Sequence, residues 1–231
     1  MDQTEIEKQA AADHAVQRIQ DGMLLGLGSG STSAYAIRRI GERVRQGLNV
    51  RGIPTSRHSE ELAEAVGIPL TSFDEETRID LTIDGADELT PQLQLIKGGG
   101  GAMLREKIVA TASDRLVIIA DSRKLVPALG KFQLPIEVLP FACPVVARWL
   151  RDLGGKPQLR SDADGKPVMT DQQNLVLDCD FGIIETPEEL AAQLDRIPGL
   201  IAHGLFLRLA SCAIVGRGTE ILTIEREMER A

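Results

Sequence analysis

The chain has 231 residues, of which 43% are hydrophobic and 26% charged, with a formal net charge of -8. That balance excludes a disordered chain, and the acidic excess argues against a nucleic-acid partner held by its phosphates. No apolar run approaches a membrane span and the first twenty residues are too charged for a secretory signal, so a cytoplasmic protein without a membrane partner is expected.

Residues 4–20 carry apolar positions at helical spacing (Ile6, Ala10, Ala11, Ala15, Ile19), and Asp21-Gly22 ends the run. Met23 to Leu27 reads as a short buried strand, followed by Gly28-Ser29-Gly30-Ser31-Thr32 and a helix from about Ser33 to Arg45. Val50 to Pro54 gives a second strand, with a helix from Ser59 to Val66. Ile79 to Ile83 and Leu93 to Ile96 are strands, Ala102 to Ala112 a helix, and Arg115 to Ala120 a strongly apolar strand. Strands alternating with helices imply an α/β fold, a Rossmann-like and mostly parallel sheet with helices on both faces.

The pattern changes after Gly130. A strand (Leu134 to Leu139), a helix (Pro144 to Leu153), extended pieces at Pro157 to Arg160, Val168 to Thr170 and Asn174 to Cys179, a helix (Pro187 to Ile197) and a strand (Leu200 to Phe206) follow. The order β-α-β-β-α-β suggests an inserted ferredoxin-like α+β domain. Residues 1–132 and 208–231 then form the main domain and 133–207 the small one, with the last strands, Cys212 to Val215 and Glu220 to Ile224, returning to the main sheet. The final Glu225-Arg226-Glu227-Met228-Glu229-Arg230 reads as a solvated tail. Cys143, Cys179 and Cys212 are widely spaced without a C-x-x-C pair, as expected of reduced thiols rather than disulfides or a zinc site.

Three motifs carry chemistry. Gly28-Ser29-Gly30-Ser31-Thr32 joins a strand to a helix, where backbone N–H groups and hydroxyls suit an anion. It lacks the Gly-Lys-Ser/Thr of a Walker loop and the spacing of a dinucleotide loop, so a phosphate is the better ligand. Asp84-Gly85-Ala86-Asp87-Glu88 puts two carboxylates across a strand-end turn, although a purely turn-forming Asp is a common alternative. Lys97 stands before Gly98-Gly99-Gly100-Gly101, a run that must need backbone freedom. Glu106 follows in the next helix, either facing the site or pairing with Arg105 or Lys107 at the surface. As a base it would be pulled down by Lys97 and the helix N-terminus and pushed up by burial. Lys124 and Arg123 offer equivalent phosphate clamps. His14, His58 and His203 are scattered, and no metal is expected.

These motifs, with Ile119-Ala120-Asp121-Ser122, Leu129-Gly130-Lys131-Phe132 and Leu134-Pro135-Ile136-Glu137-Val138, occur in an order that resembles type A ribose-5-phosphate isomerases, from about Lys8 to the last strands. The resemblance implies interconversion of ribose 5-phosphate and ribulose 5-phosphate through an enediolate, without a cofactor, in a homodimer or tetramer. It implies that Glu106 is the base, that Asp84 and Asp87 assist ring opening, and that Lys97 lies beside the reacting oxygens. Ser29, Gly30, Ser31, Thr32, Gly85, Ala86, Gly98, Gly99, Gly100 and Lys124 are then substrate contacts, the phosphate lying on Ser31, Thr32 and Lys124, with Lys8 nearby. Ser29 replaces the threonine of other members. Two alternatives are a related sugar-phosphate deaminase or lactonase, which would want a histidine at a motif, and a non-catalytic sugar-phosphate sensor, which would usually carry a DNA-binding segment.

Overall fold

Alternation of short apolar strands with helices gives, in a computed structural model describing residues 2–226, the following succession. In chain order it has α1 (Gln3–Val16), β1 (Leu24–Leu27), α2 (Gly30–Arg45), β2 (Arg51–Pro54), α3 (Arg57–Val66), β3 (Leu81–Asp84), β4 (Glu88–Leu89) and β5 (Leu95–Ile96). Then come α4 (Met103–Thr111), β6 (Leu116–Asp121), β7 (Leu134–Val138), α5 (Cys143–Asp152), β8 (Lys156–Leu159), β9 (Leu175–Asp180) and α6 (Pro187–Leu194). The described chain closes with β10 (Leu200–His203), β11 (Leu205–Phe206), β12 (Cys212–Arg217) and β13 (Glu220–Glu225).

The main sheet runs β13-β12-β6-β3-β1-β2, parallel throughout except for β13. Its central strands are buried on both faces, which is why they read as unbroken apolar runs. One face packs Leu25, Leu27, Ile83 and Ile119 against α1 and α2. The other packs Leu116, Ile118 and Ala120 against Ala110 of α4 and Leu89, Leu95 and Phe206 of a small three-stranded sheet, β11-β5-β4. Each such fully buried aliphatic side chain contributes about 1.5–3 kcal/mol. A separate antiparallel sheet, β10-β7-β9-β8, carries α5 and α6 and has the ferredoxin-like strand order.

Four local expectations change. On α1 Ile6 is exposed while Glu7 is covered, because Glu7 accepts hydrogen bonds from the far end of the sheet. Helix α2 begins at Gly30, not Ser33. Val168 to Thr170 makes only isolated bridges. The strand expected over Leu200 to Phe206 divides at Gly204, its halves joining different sheets, because Lys97 N–H donates to Gly204 O at 2.9 Å. A Cβ on Gly204 would lie 2.3 Å from Lys97 O. Of the expected tail, Glu225 closes β13 and residues 227–230 lie outside the described residues.

Candidate active site

The C-terminal ends of β1, β3 and β6 bring Gly28–Thr32, Asp84–Asp87 and Asp121–Lys124 to one edge of the sheet, the place where open α/β sheets bind ligands. The glycine run after β5 and the first turn of α4 close the remaining side, leaving a cleft of about 170 Å³.

Lys97 is the hub. Its side chain is 3% exposed, and Nζ lies 3.0 Å from Asp84 Oδ2, 3.0 Å from Glu106 Oε1 and 2.6 Å from Gly85 O. Three acceptors therefore match the three protons of an ammonium group. Burial alone would lower its pKa, but the two carboxylates outweigh that and raise it, so the lysine stays charged.

Glu106 turns inward, whereas its neighbours turn elsewhere: Arg105 lies 3.8 Å from Asp171 and Lys107 donates to His203 O at 2.7 Å. The surface pair with Arg105 or Lys107 is thereby excluded. Glu106 Oε1 is bound by Lys97, while Oε2 is buried without a partner among the described residues, and Glu106 borders the cleft. Burial pushes its pKa from 4.5 up to about 7, against the pull of Lys97 and with the added repulsion of Asp84 and Asp87. Burial wins the conflict between opposing influences.

The two aspartates differ. Asp84 is 1% exposed; Oδ1 accepts from Ser29 N–H (3.0 Å), Ser33 Oγ (3.1 Å) and Gly85 N–H (2.7 Å), and Oδ2 faces Lys97. It stands one layer behind the cleft wall. Asp87 lines the wall, and its Oδ2 accepts from Gly99 N–H at 2.7 Å. A Cβ on Gly99 would fall 2.6 Å from Asp87 Oδ1, so this contact requires glycine. Glu88 points away and accepts from Gly130 and Phe132 N–H, at 2.8 and 2.6 Å, which explains the Leu129–Phe132 motif as support.

The opposite end of the cleft is built for an anion. Since α2 starts at Gly30, Ser31 and Thr32 occupy its first turn, where N–H groups lack helical acceptors. Lys8 Nζ donates to Ser31 Oγ at 3.0 Å and to Glu5 at 2.7 Å. Ser29 Oγ instead bonds Thr55 and Ser56, each at 2.7 Å. Arg123 is engaged by Asp121 at 2.8 Å, whereas Lys124 has no ion-pair partner among the described residues and borders the cleft over the Phe132 ring. The structure thus separates two cations that composition left equivalent.

Residues 51–220 match the family model described as ribose 5-phosphate isomerase A (phosphoriboisomerase A). The ribose-5-phosphate isomerase A of Parvibaculum lavamentivorans is 50% identical, over 94% of this chain and 97% of that one. The chain belongs to the ribose 5-phosphate isomerase A family. The isomerase A of Chloroflexus aurantiacus is 54% identical, over 90% of this chain and 88% of its own. Among solved structures, a D-ribose-5-phosphate isomerase in complex with phospho-erythronic acid superposes with a TM-score of 0.94 at 38% identity, covering 96% of this chain and 99% of that one. The Plasmodium falciparum ribose 5-phosphate isomerase gives 0.93 at 34% identity, over 97% of this chain and all of that one (100%).

Three residues packed around this phosphoriboisomerase-family cleft, outside its lining, had no sequence signal. Ser33 supports Asp84, Arg160 grips the glycine run, and His203 meets Lys107, next to Glu106. Each contact spans more than fifty residues of chain, beyond any local pattern. His203 lies against Lys107 and Asp195, not against the cleft, and burial lowers its pKa to about 4. It is not a histidine of the kind the deaminase or lactonase alternative needs. No group of three metal-ligating side chains occurs among the described residues.

Proposed function

We propose that this chain interconverts D-ribose 5-phosphate and D-ribulose 5-phosphate, a step of the pentose phosphate pathway, with Glu106 carrying a proton between C2 and C1. The carrying observation is Glu106 itself, with one oxygen fixed by Lys97, the other buried and unpartnered, and a pKa of about 7. A base poised near the working pH is half ionised and still a useful acid, as a group that both removes and returns a proton must be.

The phosphate sits at the first turn of α2 with Ser31, Thr32, Lys124 and Lys8, which anchors the sugar at its far end. Asp87 serves the anomeric and ring oxygens as the furanose opens, while Asp84 holds Lys97 in place. Glu106 then takes the C2 proton, and the C2 electron pair forms the enediolate. Glu106 loses its charge at the moment the substrate oxygens gain one, so the buried Lys97 ammonium exchanges one anionic partner for another. The charge inside the dry site does not change. The 2-hydroxyl proton passes to O1 and Glu106 returns its proton to C1, giving the ketose. Every proton and electron pair is accounted for without a cofactor or metal.

That another family protein was solved with phospho-erythronic acid supports the reading, because a phosphorylated sugar acid joins an anionic end to a planar carboxylate that resembles an enediolate in shape and charge. The four-stranded unit, 133–207, is proposed as the small domain. Leu139 (43% exposed), Phe141 (91%) and Val145 (43%) give it an apolar surface suited to a homodimer or tetramer contact. Free Cys143, Cys179 and Cys212 fit a reducing cytoplasm.

The test is direct assay of ribulose 5-phosphate formation. Glu106→Gln should lower kcat by about 10²–10⁴-fold with sugar-phosphate affinity nearly intact. Activity within tenfold of the parent would remove the assignment.

A further inference from the structure

We infer that Arg160, on the four-stranded unit and outside the described chemistry, is a positioning residue for the isomerisation that fixes the peptide orientation of Gly98–Gly100. The inference rests on placing Asp87 and the glycine run in the substrate site. Arg160 Nη1 donates to Gly98 O at 3.1 Å and to Gly99 O at 3.0 Å. Its Nε donates to Asp178 Oδ2 at 2.8 Å and its Nη2 to Asp178 Oδ1, a two-point pair that fixes the guanidinium plane. Asp178 stands on β9, and Arg160 N–H donates to Val176 O on the same strand. Both halves of the grip therefore belong to one rigid sheet.

In a trans peptide the C=O and the following N–H point in opposite directions. Holding Gly98 O toward Arg160 thus aims Gly99 N–H the other way, where it donates to Asp87 Oδ2 at 2.7 Å. The same geometry at Gly99 O turns Gly100 N–H away from Arg160, and Gly100 borders the cleft. Within the run Gly101 N–H donates to Gly98 O at 2.9 Å, which holds the first of these peptides only by a turn bond between glycines: Gly98 has φ +105°, and glycine populates both signs of φ. The guanidinium reinforces that turn bond at Gly98 O and extends the hold to Gly99 O. Arg160 is only 15% exposed, so water does not readily substitute for it. Through this contact the small unit determines how Asp87 is held, although it contributes no side chain to the cleft lining.

The experiment is a double-mutant cycle on the full chain, reading kcat and KM for ribose 5-phosphate in the parent, Arg160→Ala, Asp87→Asn and the double variant. Arg160→Ala should lower kcat by about 10–30-fold with KM changed less than about threefold, and added guanidinium ion should restore part of kcat. In the Asp87→Asn background the same change should cost less than about threefold, because the oriented peptide has no carboxylate left to hold. If Arg160→Ala does not fold, Arg160→Lys, which keeps the charge and loses the fork, should show the same dependence on Asp87. A folded Arg160 variant with kcat within twofold of the parent, or an equal loss in both backgrounds, overturns the inference. Normal activity of Asp87→Asn alone would instead remove the site assignment beneath it.

Discussion

Glu7 and Glu106 are both glutamates shielded from water, 6% and 5% exposed, yet only Glu106 borders the cleft and their acidities diverge. Glu7 accepts from Gly218 N–H (2.8 Å), Ser122 N–H (3.0 Å), Ser122 Oγ (2.8 Å) and Gln3 (3.3 Å), and the Gly218 bond leads in drawing its pKa down to about 2. Glu106 has one donor, Lys97, and an orphaned oxygen, so burial drives it up to about 7. At Glu7, near the surface, the donors outweigh desolvation, whereas at Glu106, set deeper and with a single donor, desolvation prevails. A satisfied carboxylate is a structural pin, and an under-satisfied one is a reagent.

After loss of Glu106 itself, the largest effect should come from removing its only donor among the described residues. Lys97→Met leaves Asp84 and Glu106 as buried carboxylates without their cation, so Glu106 should titrate above 7 and kcat should fall by about 10²–10³-fold. A variant with unchanged kcat would show that the lysine does not serve the chemistry.

Glu7→Gln should leave kcat near the parental value and cost about 1–2 kcal/mol of stability, after allowance for screening close to the surface. The two residues should also have opposite pH signatures. The lowered pKa of Glu7 gives stability that is present above about 4.5 and lost as pH falls toward 2. The raised pKa of Glu106 gives a contribution present below 4.5 and lost as pH rises through about 7. Denaturant melts of the parent and the two Gln variants between pH 3 and 8 separate them, and parallel stability curves would refute the contrast.

A smaller change sharpens the role of Glu7 as a pin for the Ser122–Lys124 turn. Lys124→Ala should raise KM for ribose 5-phosphate by about tenfold, the weight of one charge-assisted contact, with kcat nearly unchanged. Glu7→Gln should reproduce a few-fold part of that rise. A fall in kcat with KM constant would place Lys124 at the chemistry instead of the phosphate.

The acidic and glycine-rich segments were legible because they combine charges with glycine at strand ends, a pattern a plain turn does not need. The fold class followed from strand–helix alternation. Glu7 escaped notice because its partners lie 115 and 211 residues away, so the helical pattern favoured Ile6 as the inward residue. The split at Gly204 escaped for a similar reason, since it is imposed by Lys97 crossing from another sheet. The two-residue strands β4 and β11 are too short to show periodicity at all. Asp84 and Asp87 look alike in sequence, and only the packing of Ser29, Ser33 and Lys97 around one of them tells them apart.

The most direct test titrates the side-chain carboxyl carbons of the 13C-glutamate-labelled free enzyme by NMR. One resonance, missing from Glu106→Gln, should titrate near pH 7, at the same pH as the acidic limb of kcat/KM. A Glu106 resonance titrating near 4.5, like an ordinary surface glutamate, would contradict its role as the poised proton carrier.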